Sequence, residues 1–255
     1  MRLFRKTTES TEIRPMIEDG SRIYAVGDIH GRLDLLKNLL EKIQADFRQH
    51  HDGRTPELVF LGDYVDRGDA SQGVLKCLME LKQTGQISAV FLKGNHEEAM
   101  LRFLDDPVLE ANWLQFGGLQ TLASFGIATR LVKPTRTDIA IMHQEFCGAI
   151  EPYLAFVSNL ESSHRSGDFF FCHAGVNPEK PLVEQSQRAL IWGHPSALVD
   201  QPVPGKRIVH GHYDEISVTD KLGRVCIDTG AYYTGILTAL RLDNGEALIQ
   251  TDGFL

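Results

Sequence analysis

Three stretches of this chain repeat one design. RIYAVGD (22–28), ELVFLGD (57–63) and SAVFLKGN (88–95) each run apolar and then close on glycine with an aspartate or asparagine. Unbroken apolar runs of this length fit strands covered on both faces, because a strand with one wet face would alternate. A helical pattern follows each run. In LDLLKNLLEKIQADF, Leu36, Leu39, Leu40, Ile43 and Phe47 share one helical face. The second helix starts near Ala70 and carries Val74, Leu75, Leu78 and Met79, with Asp69 and Gln72 placed as N-cap and capping-box partner. The third, EEAMLRFL, opens with two glutamates, which suits the positive end of a helix. Strand, polar loop, helix, strand is the signature of a largely parallel sheet.

The rest of the chain changes style. Residues 107–165 read as a helical insertion, interrupted at Gly117-Gly118 and Gly126. After it come short β runs: DFFFCHAG, RIVHGH, VCIDTG, GILTALRL and EALIQ, the last two joined by Asp243-Asn244-Gly245, a strong hairpin signal. The expected fold is α/β: two mixed β-sheets packed as a sandwich and flanked by helices. A single catalytic domain over 21–255 follows a loose, flexible arm over 1–20. Phe169, Phe170 and Phe171 read as core strand, and Phe146, Tyr153 and Phe156 as helix packing.

Bulk properties exclude some roles. A formal net charge of −8 argues against a broad nucleic-acid or acidic-membrane surface. No apolar run approaches the ~20 residues needed to span a bilayer, and the N-terminus lacks the apolar core of a signal peptide. The cysteines, Cys77, Cys147, Cys172 and Cys226, are scattered without CxxC spacing. That argues against structural zinc and a disulfide framework and fits a reducing cytoplasm, with Cys172 and Cys226 as small core hydrophobes.

In a parallel sheet, ligands gather at the carboxyl ends of the strands. Those ends carry Asp28 and His30, Asp63, then Asn95 and His96, with His173 and His212 after two later runs. Asp28 and His30, two apart in an extended segment, point to one side. Without His96, this inventory of oxygen and imidazole donors could be shared between two divalent ions, one carboxylate bridging, roughly 3.5–4 Å apart. Mixed nitrogen and oxygen ligation favours Mn, Fe, Zn or Co over Ca or Mg; Mn²⁺ is the expected cofactor, with Fe or Zn as alternatives. Asp63, inside the acidic stretch GDYVDRGD (62–69), is then tolerated because cations neutralise it.

GDIHG (27–31), GDYVDRG (62–68), GNHE (94–97), HAG (173–175) and the GH at 211–212 stand in the order seen in the PPP-type serine/threonine phosphatases of the calcineurin-like metallophosphoesterase superfamily. The chain resembles the compact bacterial members. The resemblance implies that Asp28, His30 and the bridging Asp63 hold one metal, and that Asp63, Asn95, His173 and His212 hold the other. A hydroxide bridging the metals would attack phosphorus directly. His96 would protonate the leaving oxygen, Asp66 would orient it, and Arg67, beside Asn95, would bind the phosphoryl oxygens. The bacterial pattern places an arginine two residues after the tryptophan of LIW; this chain reads LIWGHP, with His194 there. A second phosphate-binding cation is then sought in His194, Lys206 or Arg207.

Among the other polar residues, His210 reads as a strand residue beside the ligand His212. His50, His51, His143 and His164 read as surface histidines, and Asp228 as the support of a turn near the site. The leading functional expectation is a metal-dependent phosphomonoesterase acting on phosphoserine or phosphothreonine in proteins or peptides, and on phosphotyrosine as well. The rival is symmetrical diadenosine tetraphosphate hydrolysis, whose family typically shows GDLVARG, with alanine where this chain has Asp66. A non-catalytic binding module of the same fold is the rival of another class. It would be expected to have lost Asp63, Asn95 or His96, and all three are present.

Overall fold

The computed structural model describes residues 15–129, 134–194, 203, 205–221 and 223–253. In chain order these residues form β1 (Ser21–Val26), α1 (Leu33–Gln49), β2 (Thr55–Phe60), α2 (Ser71–Thr84), β3 (Ser88–Phe91) and α3 (Asn95–Asp105). A 3-10 turn (Ala111–Phe116), α4 (Gly118–Ser124) and α5 (Arg136–Ser158) follow, and then β4 (Ser163–Ser166), β5 (Phe169–Cys172) and α6 (Gln187–Trp192). The chain continues through β6 (Arg207–His210), β7 (Thr219–Lys221), β8 (Arg224–Cys226), α7 (Ala231–Thr234), β9 (Thr238–Leu242) and β10 (Glu246–Gln250).

The strands make two five-stranded mixed sheets, ordered β10-β9-β1-β2-β3 and β4-β5-β6-β8-β7. In the first, β1, β2 and β3 run parallel and β9 pairs antiparallel with β1; β9 turns into β10 at Asp243-Asn244-Gly245, as the hairpin signal predicts. In the second, β5, β6 and β8 are parallel, with β4 and β7 antiparallel at the edges.

The apolar runs are unbroken because both strand faces are covered. Ile23, Ala25, Val59 and Leu61 point between the sheets and meet Phe169, Phe171, Val209 and Val225. Tyr24, Val26, Leu58 and Phe60 point the other way, onto α1 and α2. Phe170, Cys172 and Ile208 form the outer face of the second sheet, under Leu190 and Ile191 of α6. Each such side chain contributes about 1.5–3 kcal/mol on burial. Phe146 and Phe156 pack in the helical layer as expected, with Tyr153 partly buried beside them. Cys172 and Cys226 are buried, and the four cysteines are free thiols. No helix among the described residues is long and apolar enough to cross a membrane.

Two local expectations change. Residues 1–14 of the expected arm lie outside the described residues, whereas 15–20 are docked: Asp168 donates its N–H to the Met16 carbonyl at 2.8 Å, and Ile17 is buried between the sheets. The capping box at α2 does not form. Ala70 takes the cap position, no side chain caps it, and the Gln72 N–H donates instead to Ser124 Oγ of α4 at 3.1 Å. A tertiary partner replaces the local one.

Candidate metal centre

The site lies at the carboxyl ends of strands from both sheets. Asp28 and His30 follow β1, Asp63 follows β2, Asn95 opens α3 after β3, His173 follows β5 and His212 follows β6. The loops carrying them are strained. Among the described residues, the non-glycine residues with positive φ are His30 (45°), Asp63 (50°), Asp66 (71°), Arg67 (68°) and His212 (68°), all candidate site residues. Such conformations cost roughly 1–3 kcal/mol each and persist only where surrounding contacts over-determine them.

Glu97 supplies much of that determination for the loop after β2. Its carboxylate, fully buried, accepts the N–H of Asp63 (2.9 Å), Tyr64 (2.7 Å), Val65 (3.2 Å) and Gly94 (2.9 Å). Gly94 is required for a second reason: a Cβ there would stand 2.0 Å from Asp63 Oδ1. Glu97→Gln is expected to lose about 2–4 kcal/mol, because an amide cannot accept at both ends and leaves buried N–H groups unpaired. The melting temperature would fall by roughly 5–15 °C. A melting scan in the presence of chelator, which removes any contribution of bound ions, checks this; an unchanged midpoint would contradict the role given to Glu97.

Among the described residues, two trios of potential ligand atoms lie within 4.8 Å of one another: His30, Asp63 and His96, and Asp63, His173 and His212. Asp63 belongs to both. Asn95 joins the second, its Oδ1 standing 2.9 Å from His173 Nε2 and 2.9 Å from His212 Nδ1. His30 Nδ1 and His173 Nδ1 each lie 3.0 Å from a backbone carbonyl, of Val65 and Leu61 respectively. Those carbonyls accept from Nδ1 and turn each Nε2 toward the centre, the arrangement metal-ligating histidines use. Asp28 stands outside both trios. Its Oδ2 accepts the His212 N–H at 3.1 Å, while its Oδ1 is buried and has no hydrogen-bond partner among the described residues.

The charge balance among these groups calls for cations. Asp28, Asp63 and Asp228 are 1%, 2% and 2% exposed. Burial, then Asp228 and Asp63, push the Asp28 carboxyl well above the usual carboxylate range. Burial also lifts Asp228, to about 6. For Asp63 burial is outweighed by His173 and His96, which hold it well below its usual value. Burial keeps His30 and His212 neutral, each down to about 3. Neutral imidazoles beside crowded carboxylates, one with an orphaned oxygen, are a donor set that fits divalent metal ions.

His96 is built differently. Its Nδ1 lies 2.7 Å from Asp66 Oδ2 and its Nε2 lies 3.8 Å from Asp63 Oδ2. Burial alone would lower its pKa, but Asp63 and Asp66 overcome that and raise it to about 9, so it carries a proton at neutral pH. Asp66, itself fully buried, accepts Trp113 Nε1–H at 2.8 Å and Thr121 Oγ–H at 2.6 Å, and its own N–H is shared by Ser71 Oγ and Thr121 Oγ1. The helical insertion therefore fixes the partner of His96. Arg67 lies with its guanidinium 4.8 Å over the Tyr232 ring, and that ring stands 5.5 Å from His30.

Other expected residues fall elsewhere. Arg207 is not at the site. It opens β6, at the end of the strand opposite His212, and is spent on Glu246 (2.8 Å twice) and Asp220 (2.9 Å). Lys206 is paired with Asp168 at 3.0 Å. His194 is half-buried after Gly193, whose added Cβ would meet the Tyr213 hydroxyl and approach Ala174, so this loop borders the His173–His212 side. Asp228 accepts the Gly230 N–H at 3.0 Å, holding the turn as expected, and faces Asp28 as well. His210 is buried in β6 with Nδ1 turned to the Gly211 carbonyl, away from the ligand set.

Comparison with known proteins decides the family. A model described as calcineurin-like phosphoesterase matches residues 21–241. This chain belongs to the calcineurin-like phosphoesterases. A protein of Oceanobacillus iheyensis named bis(5'-nucleosyl)-tetraphosphatase PrpE, asymmetrical, is 33% identical over 245 residues, covering 88% of this chain and 90% of its own. A symmetrical bis(5'-nucleosyl)-tetraphosphatase of Pasteurella multocida is 43% identical over 166 residues, covering 65% of this chain and 48% of its own. A cold-active protein tyrosine phosphatase of a psychrophilic Shewanella shares the fold, with a TM-score of 0.55 at 15% identity over 93% of this chain and 83% of its own. The two-sheet architecture expected from sequence is thus that of calcineurin-like phosphoesterases, and phosphoester hydrolysis is its chemistry.

Proposed function

We propose that this phosphoesterase hydrolyses dinucleoside tetraphosphates. The observation that carries the reading is the end-to-end likeness to the Oceanobacillus iheyensis relative, which bears that activity in its name. It replaces the protein phosphatase as the leading reading and brings forward the rival expectation in a broader form, since that expectation was of symmetrical cleavage and this relative is named asymmetrical.

Asp28, His30 and Asp63 would hold one ion, and Asp63, Asn95, His173 and His212 the other. When bound, such ions lower the pKa of water and neutralise charge on phosphoryl oxygens. Arg67 binds and orients the phosphoryl group through its planar fork. His96 donates the proton of Nε2 to the oxygen that leaves, and Asp66 steadies the imidazolium through Nδ1. Water supplies the oxygen that joins phosphorus, and the bridging P–O bond breaks.

A second reading, the serine/threonine protein phosphatase, is favoured by one observation: the fully buried Asp66 held against His96 at 2.7 Å. A seryl oxygen is a strongly basic leaving group and needs an acid, whereas the phosphate leaving from an anhydride needs one less. Purified protein with manganese, given diadenosine tetraphosphate and a phosphoserine peptide, separates the two. We expect the higher kcat/KM on the dinucleotide; the reverse order would overturn this reading. Chromatography of the nucleotides formed distinguishes ATP with AMP from two ADP, and so asymmetrical from symmetrical cleavage.

A further inference from the structure

An open groove of about 750 Å³ runs away from the centre past Arg67 and Tyr232, between the starts of α1 and α2. Arg32, just before α1, lines it with Asp34 and Lys37 of α1 and with Gly68 and Asp69 of the loop before α2. Its charges are not balanced. Asp34 is tied to Arg32, whose Nη2 stands 2.6 Å from its carboxylate. That leaves Arg67 and Lys37 against the exposed Asp69. Among the described residues Lys37 and Arg67 make no ion pair, Arg67 resting instead on the Tyr232 ring. In a chain of net charge −8, a groove whose uncompensated charge is positive is a local inversion.

The groove adjoins the centre through Arg67 and Tyr232, which line it. Tyr232 touches both, its ring 5.5 Å from His30 and nearly perpendicular to it, with the Arg67 guanidinium over its face. Arg67 and Lys37 both line this groove, so a phosphoryl group held by Arg67 has it alongside. We propose that the groove binds the phosphates next to the one attacked, so that the preferred substrate is one whose reacting phosphorus carries further phosphates. Lys37 is the specificity-determining residue, acting as a point charge on a non-reacting phosphate. This rests on the dinucleotide reading for the identity of the substrate and on the groove alone for its chemistry.

The test uses Lys37→Glu, with Lys42→Glu as control. Lys42 lies further along α1, outside the groove lining, pairs with Asp252, and gives the same change of net charge. With manganese in excess, the ratio of kcat/KM for diadenosine tetraphosphate to that for p-nitrophenyl phosphate is expected to fall about tenfold in Lys37→Glu, chiefly through KM, and to hold in the control. If the wild-type protein does not cleave the dinucleotide, the functional reading fails but the groove is still tested. Inorganic tripolyphosphate and orthophosphate are compared as inhibitors of p-nitrophenyl phosphate hydrolysis. The inhibition constant for tripolyphosphate is expected to rise about tenfold in Lys37→Glu, with that for orthophosphate little changed. Equal changes for both inhibitors, equal changes in the control, or no change at all would overturn the proposal.

Discussion

His96→Asn is expected to lower kcat on a phosphoserine peptide or an alkyl phosphate by roughly 10²–10⁴, the usual worth of a positioned general acid. On p-nitrophenyl phosphate, whose leaving group ionises readily, the loss should be far smaller. His96 Nδ1 is fixed at 2.7 Å on a buried Asp66 that Trp113 and Thr121 hold from the other side, which leaves Nε2 to face the reacting groups. Since His96 also lies in a trio with His30 and Asp63, the metal content of the variant must be measured with its kinetics. Two ions retained with a leaving-group-dependent loss supports the acid. Loss of an ion with an equal fall on every substrate makes His96 a ligand instead.

Asp63→Asn carries the other large effect. Asp63 is the one residue common to both trios, so its replacement should weaken both ions together rather than one. The loss should exceed the roughly 10–100-fold that removal of an outer hydrogen-bonding partner costs a metal site. Elemental analysis after dialysis against micromolar manganese reads the outcome directly. Two ions per chain in the variant would refute the shared role, and one would assign Asp63 to a single site. Melting in chelator should change much less than metal content, because an asparagine can keep Oδ1 as the acceptor of the His96 N–H, now at 3.1 Å.

Much of this was legible in the chain because the first sheet is buried on both faces. A strand such as β1 or β2 then announces itself by an unbroken apolar run, and the abrupt glycine and aspartate at its end mark where the backbone turns toward a ligand. The two strands that could not be read, β4 (SHRS) and β7 (TDK), are polar edges of the second sheet, held by one neighbour each and lacking any pattern of their own. Arg207 was misplaced for a related reason. Its closeness in sequence to His212 hides the fact that a strand separates them, so one stands at each end of β6.

The support of the site was the least visible part. Trp113 and Thr121 reach Asp66 from 47 and 55 residues away, inside a helical stretch whose pattern reports only its own packing. Tyr232 sits in the four-residue α7, too short to show periodicity. Glu97 did carry a signal, standing third after Gly94 where a capping carboxylate belongs. What sequence could not disclose is that the same carboxylate also gathers three N–H groups from the loop after β2.

The centre straddles a seam. Asp28, His30 and Asp63 hang from one sheet, while His173 and His212 hang from the other, and Asp63 is shared across the divide. Sliding one layer past its neighbour by a single residue pitch, about 3.3 Å, would pull the second trio off the first. Alignment of the two layers and assembly of the reactive cluster are therefore one mechanical event, and the enzyme cannot relax its sandwich without disarming itself.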